Sequence, residues 1–279
     1  MSNPVPNLVP NLVPDRLINP PVSNSIAQLP EHLALWQESF GWQPTAAQHR
    51  LFQQLYEQIL AGNQQLNLTR ITEPDDFWEK HLWDSISGIA PWLADLAVVD
   101  ESSENQPADA EPIRIVDIGT GGGIPGIPVA IAMAPVSLTL VDSTRKKIQF
   151  LQTLCQQIGI PATCLAARAE AIGQQSAHRD RYDLALVRAV GSAATCAEYA
   201  LPLLKIGGQA VLYRGQWSTA DTEALLPVVD LLGGEVTDLQ SWQTPLTQSD
   251  RHCLFIHKDR PTPSDFPRAV GIPAKHPLR

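Results

Sequence analysis

Val116-Asp117-Ile118-Gly119-Thr120-Gly121-Gly122-Gly123-Ile124-Pro125-Gly126-Ile127-Pro128 is the stretch on which the reading of the fold turns. The apolar run 113–117 has the length and composition of a short strand, and it leads directly into glycines. Residues 125–134 then read as a helix, with proline tolerated in its first turn. Strand, glycine turn and helix in that order form the ligand-binding corner of an open α/β sheet. Glycine is needed there because the backbone must turn sharply and let a ligand lie against it with no Cβ in the way.

Working downstream, the same grammar repeats. Strands are expected at 136–141, 162–166, 184–187 and 210–213, with helices at 146–158, 193–204 and near 219–231. Closing strands are expected near 234–242 and 252–257. Strands alternating with helices imply a mostly parallel sheet covered on both faces. Upstream, Leu51, Phe52, Leu55, Tyr56, Ile59 and Leu60 recur at helical spacing, and Gly62-Asn63 should end that helix. Thr72 is a plausible N-cap for a second helix from Asp75 to Ala90, which carries His81 and Asp84.

The expected organisation is therefore a disordered Pro/Asn-rich extension (1–28), an N-terminal helical region (29–97), an acidic flexible linker (98–111), the α/β domain (112–260) and a basic C-terminal tail (261–279). The extension contains the tandem repeat Pro6-Asn7-Leu8-Val9, Pro10-Asn11-Leu12-Val13, and proline every fourth residue blocks helix and ladder alike.

No apolar run is long enough to span a bilayer, and the first residues lack the basic start of a secretory signal. A soluble, cytoplasmic protein with no membrane partner is expected. Cys155, Cys164, Cys196 and Cys253 form no C-x-x-C pair and no zinc-spaced cluster, so reduced thiols and no metal are expected. Without apolar heptads, a monomer is the default. The formal net charge is −9, which on its own disfavours a phosphate-rich partner. Its distribution is uneven: residues 251–279 hold six bases against two acids, a local +4 that could contact RNA.

The glycines alone leave two ligands open. Gly119-x-Gly121-x-Gly123 has the spacing of a methyltransferase, and Gly121-x-Gly123-x-x-Gly126 fits the dinucleotide fingerprint. Asp117 tilts the balance: an acid at the end of the first strand would oppose a pyrophosphate but suits the cationic methionine part of S-adenosylmethionine. It could instead cap the following helix. Asp142 ends the second strand, where a carboxylate can accept bonds from ribose hydroxyls, or can cap the helix that follows. Arg168-Ala169-Glu170 follows the third strand, where an adenine edge would lie. Arg188 follows the fourth, at the sheet's carboxyl edge; it could serve the site or pair with a nearby carboxylate.

Several separate motifs resemble one family. They are Asn67-Leu68-Thr69, Lys80-His81-x-x-Asp84-Ser85, the glycine stretch, Val141-Asp142-Ser143-x-x-Lys146-Lys147-x-x-Phe150-Leu151, Arg168-Ala169-Glu170, Arg188-Ala189, Leu201-Pro202-Leu203-Leu204-Lys205-x-Gly207-Gly208, Arg251-His252 and the ending from Phe266 to Leu278. In this order they resemble the RsmG (GidB) small-subunit ribosomal RNA methyltransferases, which modify N7 of a guanine in 16S rRNA.

The resemblance implies a class I, Rossmann-like sheet of seven strands and S-adenosylmethionine as cofactor. It implies a cofactor site on Gly119, Ile124, Asp142, Ser143, Thr144, Ala169, Glu170 and Arg188, to which the glycine reading adds Asp117, Gly121 and Gly123. Asn67, His81, Asp84, Ser85, Lys146, Arg168 and Arg251 are implied to sit near the RNA or to shape the pocket. Asn67 and Arg188 are positioning candidates. Arg168, Arg188 and Arg251, extended by Lys146, Arg268 and Lys275, would form a basic rim for 16S rRNA or the 30S subunit. Alternatives are a methyltransferase of the same fold acting on a small molecule or protein, a nicotinamide-dependent oxidoreductase, or a cofactor-binding regulator without catalysis.

Overall fold

The computed structural model describes residues 27–97 and 111–279; the expected disordered extension, up to residue 26, and the acidic linker at 98–110 lie outside them. Six helical pieces come first among the described residues: α1 (Leu33–Phe40), α2 (Ala46–Leu66), α3 (Pro74–Phe77), a π-helical stretch (Trp78–Trp83) running into α4 (Asp84–Ser87), and α5 (Ala90–Ala97). The α/β part follows as β1 (Ile113–Ile118), α6 (Gly126–Met133), β2 (Val136–Asp142), α7 (Arg145–Ile158), β3 (Ala162–Ala166), α8 (Ala169–Gly173) and β4 (Tyr182–Arg188). It continues with α9 (Ala193–Ala200), β5 (Leu204–Arg214), α10 (Thr219–Leu231), β6 (Gly234–Gln243), β7 (Asp250–Lys258) and α11 (Ile272–Lys275).

The seven strands form one sheet in the order β3-β2-β1-β4-β5-β7-β6. All pairs are parallel except those made by β7, which runs antiparallel between β5 and β6. The strand order reverses at β1 and β4, so the crevice outside their carboxyl ends is where such a sheet binds ligands. Because β7 is reversed, its beginning lies at that same edge: His252 pairs with Arg214 in register.

Side chains alternate across the sheet and build two cores. Ile115, Leu138, Leu140, Leu184, Leu186 and Val211 face the N-terminal helices, α6 and α7. Val116, Ile118, Val141, Ala185, Val187 and Leu212 face α8, α9 and α10. The N-terminal helices are thus one wall of the first core. Their aromatic side chains Trp36, Phe52, Phe77, Trp78 and Trp83 are fully buried in it. A buried carboxylate fixes their far end: Glu79 accepts from the backbone N–H of Leu246 (2.6 Å) and Thr247 (2.9 Å) and from the Thr247 hydroxyl (2.6 Å), in the β6–β7 turn.

Three local expectations change. Gly62 does not end a helix, because α2 runs to Leu66 and stops at Asn67, in the left-handed conformation that asparagine tolerates. Glycine is needed at 62 for packing: a Cβ there would sit 2.3 Å from the Phe150 ring of α7. The second helix begins after Glu73, not Thr72, with Pro74 in its first turn. β5 starts at Leu204 rather than 210, because Gly207, at φ 86°, lets the strand bulge and continue.

The C-terminal residues are not a free basic tail. Glu198 of α9 is fully buried and accepts from the Arg268 N–H (2.8 Å), Nε (2.9 Å) and Nη2 (2.7 Å). Arg179 holds the carbonyls of Phe266 and Thr262, each at 2.7 Å. Phe266 and Leu278 pack on the second core. Arg268→Ala would strand a buried carboxylate and should cost about 3–5 kcal/mol in urea unfolding. The double change Glu198→Gln, Arg268→Met should cost less. A wild-type midpoint for Arg268→Ala would show that the pair does not hold the segment.

Candidate cofactor and substrate cleft

β1 delivers the chain into the glycine turn at the switch point. The turn is tied to β2 by the N–H groups of Gly119 (2.8 Å) and Thr120 (3.0 Å), both donating to the Val141 carbonyl. Gly119 has φ 73°, and a Cβ there would meet Val190 at 2.5 Å. Gly121, at φ 57°, has nothing nearer than a backbone oxygen at 3.9 Å, so its bare Cα faces open space. A cleft of about 410 Å³ lies over this turn, within the range of small-molecule sites. Of the residues singled out in the sequence, Gly119, Gly121, Ile124, Asp142, Ser143, Arg168, Ala169, Glu170, His81 and Arg188 line it. Leu68, Thr69, Thr120, Lys147, Val190 and Tyr199 join them without having been singled out for it.

Several expected site residues do other work. Asp117 does not line the cleft; it is fully buried beneath the turn. Its Oδ2 accepts from the Thr120 hydroxyl (2.6 Å) and from the Gly126 N–H at the start of α6 (2.8 Å), while Oδ1 has no partner among the described residues. Burial outweighs these bonds and raises its pKa to about 6. Gly123 also points inward, where a Cβ would meet Ile127 at 2.5 Å. The Thr144 N–H donates to Asp142 Oδ1 (2.8 Å), and the Gly121 N–H donates to Oδ2 (3.1 Å), so Asp142 joins the glycine turn to the start of α7. Thr144 itself is outside the cleft. Glu170 is buried and accepts from Tyr199 Oη (3.1 Å) and the Gly271 N–H (2.8 Å), tying α8, α9 and the C-terminal segment together.

Of the expected basic rim, Arg168 is exposed at the cleft, and Lys146 is exposed outside it with Lys147 turned in. Arg268 is committed to Glu198, and Lys275 lies exposed on α11, which docks on α9 through the Thr195 hydroxyl and the Pro273 carbonyl (3.0 Å). Neither lines the cleft. Asn67 is exposed at the end of α2, and its neighbours Leu68 and Thr69 form the wall. Lys147 was legible in principle: it shares a helical face with the buried Leu151 four residues on.

The wall opposite the glycine turn is an ionic cluster at the π-helical stretch. Arg188 Nη1 donates to Asp84 Oδ2 (2.6 Å) and to the Lys80 carbonyl (3.0 Å), and Nη2 donates to His81 Nδ1 (3.2 Å). Arg251 Nε meets the other oxygen of Asp84 at 3.1 Å. His81 and Asp84 therefore do not pair with each other; Arg188 bridges them. Arg251 is half-buried on Asp84 rather than a free rim cation. Burial, with the Arg188 charge next in weight, lowers the His81 pKa to about 3, against the pull of the Lys80 carbonyl. Because a guanidinium only donates, Nδ1 must accept, and the ring proton sits on Nε2, which faces the Thr69 hydroxyl at 2.8 Å.

Among known proteins, the family described as rRNA small subunit methyltransferase G matches residues 48–253. The ribosomal RNA small subunit methyltransferase G of Trichormus variabilis is 53% identical over 251 residues, covering 90% of this chain and 98% of that protein. Its namesake in Synechococcus elongatus is 52% identical, covering 87% and 95%. The chain belongs to the ribosomal RNA small subunit methyltransferase G family. Among solved structures, a branched-chain polyamine synthase mutein from Thermus thermophilus superposes with a TM-score of 0.50 at 12% identity, covering 75% of this chain and 64% of that one, a likeness of fold alone. No helix among the described residues is long and apolar enough to cross a membrane. No group of three or more His, Cys, Asp or Glu among them could hold a metal ion.

Two measurements test the electrostatics. Nitrogen-15 spectra should show His81 as the Nε2–H tautomer with no titration between pH 7 and 4.5; a midpoint near 6.5 would break the Arg188 contact. Asp117 is raised from 3.8 to about 6, so the folded state holds more protons than the unfolded state in that window. Its contribution to stability is therefore present below about pH 4 and is lost as pH rises through 6, by roughly 3 kcal/mol. Asp117→Asn should gain stability relative to wild type between pH 4.5 and 7 in urea melts. A pH-independent difference would contradict the burial of an ionisable carboxyl.

Proposed function

We propose that this chain transfers the methyl group of S-adenosylmethionine to N7 of a guanine in 16S rRNA of the small ribosomal subunit, acting as a cytoplasmic monomer. Family membership over most of the chain carries the reading, and the cleft fits it. The open glycine backbone at Gly121 would take the cofactor against the turn, Asp142 and Ser143 would face its ribose side, and Ala169 with Glu170 its base. When bound, the cofactor supplies a methyl group on a sulfonium that is already a good leaving group.

N7 of guanine carries a free lone pair and no proton, so no general base is required. The cleft agrees with that: His81 has both ring nitrogens engaged and resists protonation. What the residues contribute is orientation, worth several powers of ten when reacting atoms are held in line. Arg188 is rigidly held by Asp84, so the cleft wall on that side is preorganised.

The RNA side is read from charge. α7 begins Arg145-Lys146-Lys147 with no acid in its first turn, although helix starts favour acids. Lys147 and the exposed Arg168 line the cleft, and Arg145 and Lys146 stand exposed next to Lys147 at the start of α7, a set of cations that suits phosphates.

Labelled methyl transfer to unmodified 16S rRNA and 30S subunits tests the reading, with N7-methylguanine mapped in the product. Label going only to small-molecule acceptors would refute it. Arg145→Ala with Lys146→Ala should weaken RNA binding and flatten its salt dependence by about two charges, leaving affinity for S-adenosylhomocysteine within about twofold.

A further inference from the structure

Thr69 closes the hydrogen-bond chain that begins at Asp84. The carboxylate of Asp84 fixes Arg188, Arg188 donates to His81 Nδ1, and the neutral ring is left to donate from Nε2 to Thr69 Oγ1 at 2.8 Å. The Ile71 N–H donates to the same oxygen at 3.0 Å. A hydroxyl oxygen has two lone pairs, and these two bonds use both. Its one proton has no acceptor among the described residues, and Thr69 lines the cleft. A hydroxyl can usually rotate to suit its neighbours, but this one cannot act as an acceptor toward a ligand without losing a bond to His81 or Ile71.

We infer that the Thr69 hydroxyl is a fixed hydrogen-bond donor to an oxygen atom of whatever occupies the cleft, with Asp84, Arg188 and His81 as the positioning residues that lock its direction. Resting on the methyltransferase reading, the inference narrows the acceptor to two oxygens of one chemical kind. One is the carboxylate of the cofactor's amino-acid part. The other is O6 of the target guanine, which lies beside N7 on the same base edge. The second assignment carries a specificity consequence. Adenine presents an amino group where guanine presents O6, so a locked donor there would face a donor and reject the base. A freely rotating hydroxyl would accept from adenine and discriminate less.

Thr69→Val removes the hydroxyl and keeps the shape, and Thr69→Ser restores the hydroxyl. Both are compared in the full-length protein, with melting curves and the His81 nitrogen-15 shifts confirming an intact cluster. Calorimetry uses S-adenosylhomocysteine and 5′-methylthioadenosine, which lacks the carboxylate; kinetics use 16S rRNA in 30S subunits. If the acceptor is the cofactor carboxylate, Val weakens S-adenosylhomocysteine about tenfold, spares 5′-methylthioadenosine, and Ser recovers the loss. If it is O6, Val leaves both affinities within twofold and lowers kcat/KM for RNA about tenfold, again recovered by Ser. The inference is overturned if Val matches wild type in every measurement, if Ser is no better than Val, or if His81 carries its proton on Nδ1. A wild-type protein that methylates no RNA would defeat the functional reading separately, and calorimetry with the His81 spectrum would then decide Thr69.

Discussion

The Asp84 carboxylate sits where the helical N-terminal layer meets the open edge of the sheet, between Arg188 from β4 and Arg251 from β7. The side chains of Asp84 and Arg188 are only 10% and 16% exposed. At that burial an ion pair is weak as a source of stability, because desolvation offsets most of the attraction, but breaking it leaves an uncompensated charge. The pair therefore acts as a constraint. It holds three segments distant in sequence in one arrangement and keeps the imidazole of His81 uncharged. The π-helical turn at Trp78–Trp83 places Lys80, His81 and Asp84 so that one guanidinium reaches all three.

The second constraint is the glycine turn and the buried Asp117 beneath it. A carboxyl with one oxygen bonded to the turn and to the start of α6, and the other without a partner among the described residues, is an unfavourable thing to bury. It also fixes a tight corner: Gly126 approaches so closely that a Cβ there would lie 2.8 Å from Asp117. The turn is thus rigid from below and bare from above.

Much of this was legible in the sequence, and the misses have common causes. The seven strands and the glycine corner were readable because short apolar runs and glycine are local signals. Lysine 146 was chosen over Lys147 because motif matching ignores helical phase. Gly62 was misread as a terminator because the reason for it, the Phe150 ring, lies on another helix. Arg268 and Arg251 looked like free cations, since nothing near them in sequence announces Glu198 or Asp84. Asp117 was assigned to the ligand although the alternative, capping the next helix, describes its bonds better. In each case the deciding partner lies outside any local window, and a chain read segment by segment does not show it.

The reversed strand β7 has a consequence for when this site can exist. Residues 250–252 return to the edge reached by β4 and β5, and Arg251 meets Asp84 across 167 positions of chain. Glu79 waits equally long for the β6–β7 turn. During synthesis from the N-terminus, the helical layer and the first four strands emerge well before the segment that brings Arg251 to Asp84 and the hydrogen-bond donors to Glu79. The cleft wall is therefore among the last parts to settle, and an incomplete nascent chain lacks a finished binding surface on the very ribosomes that make it.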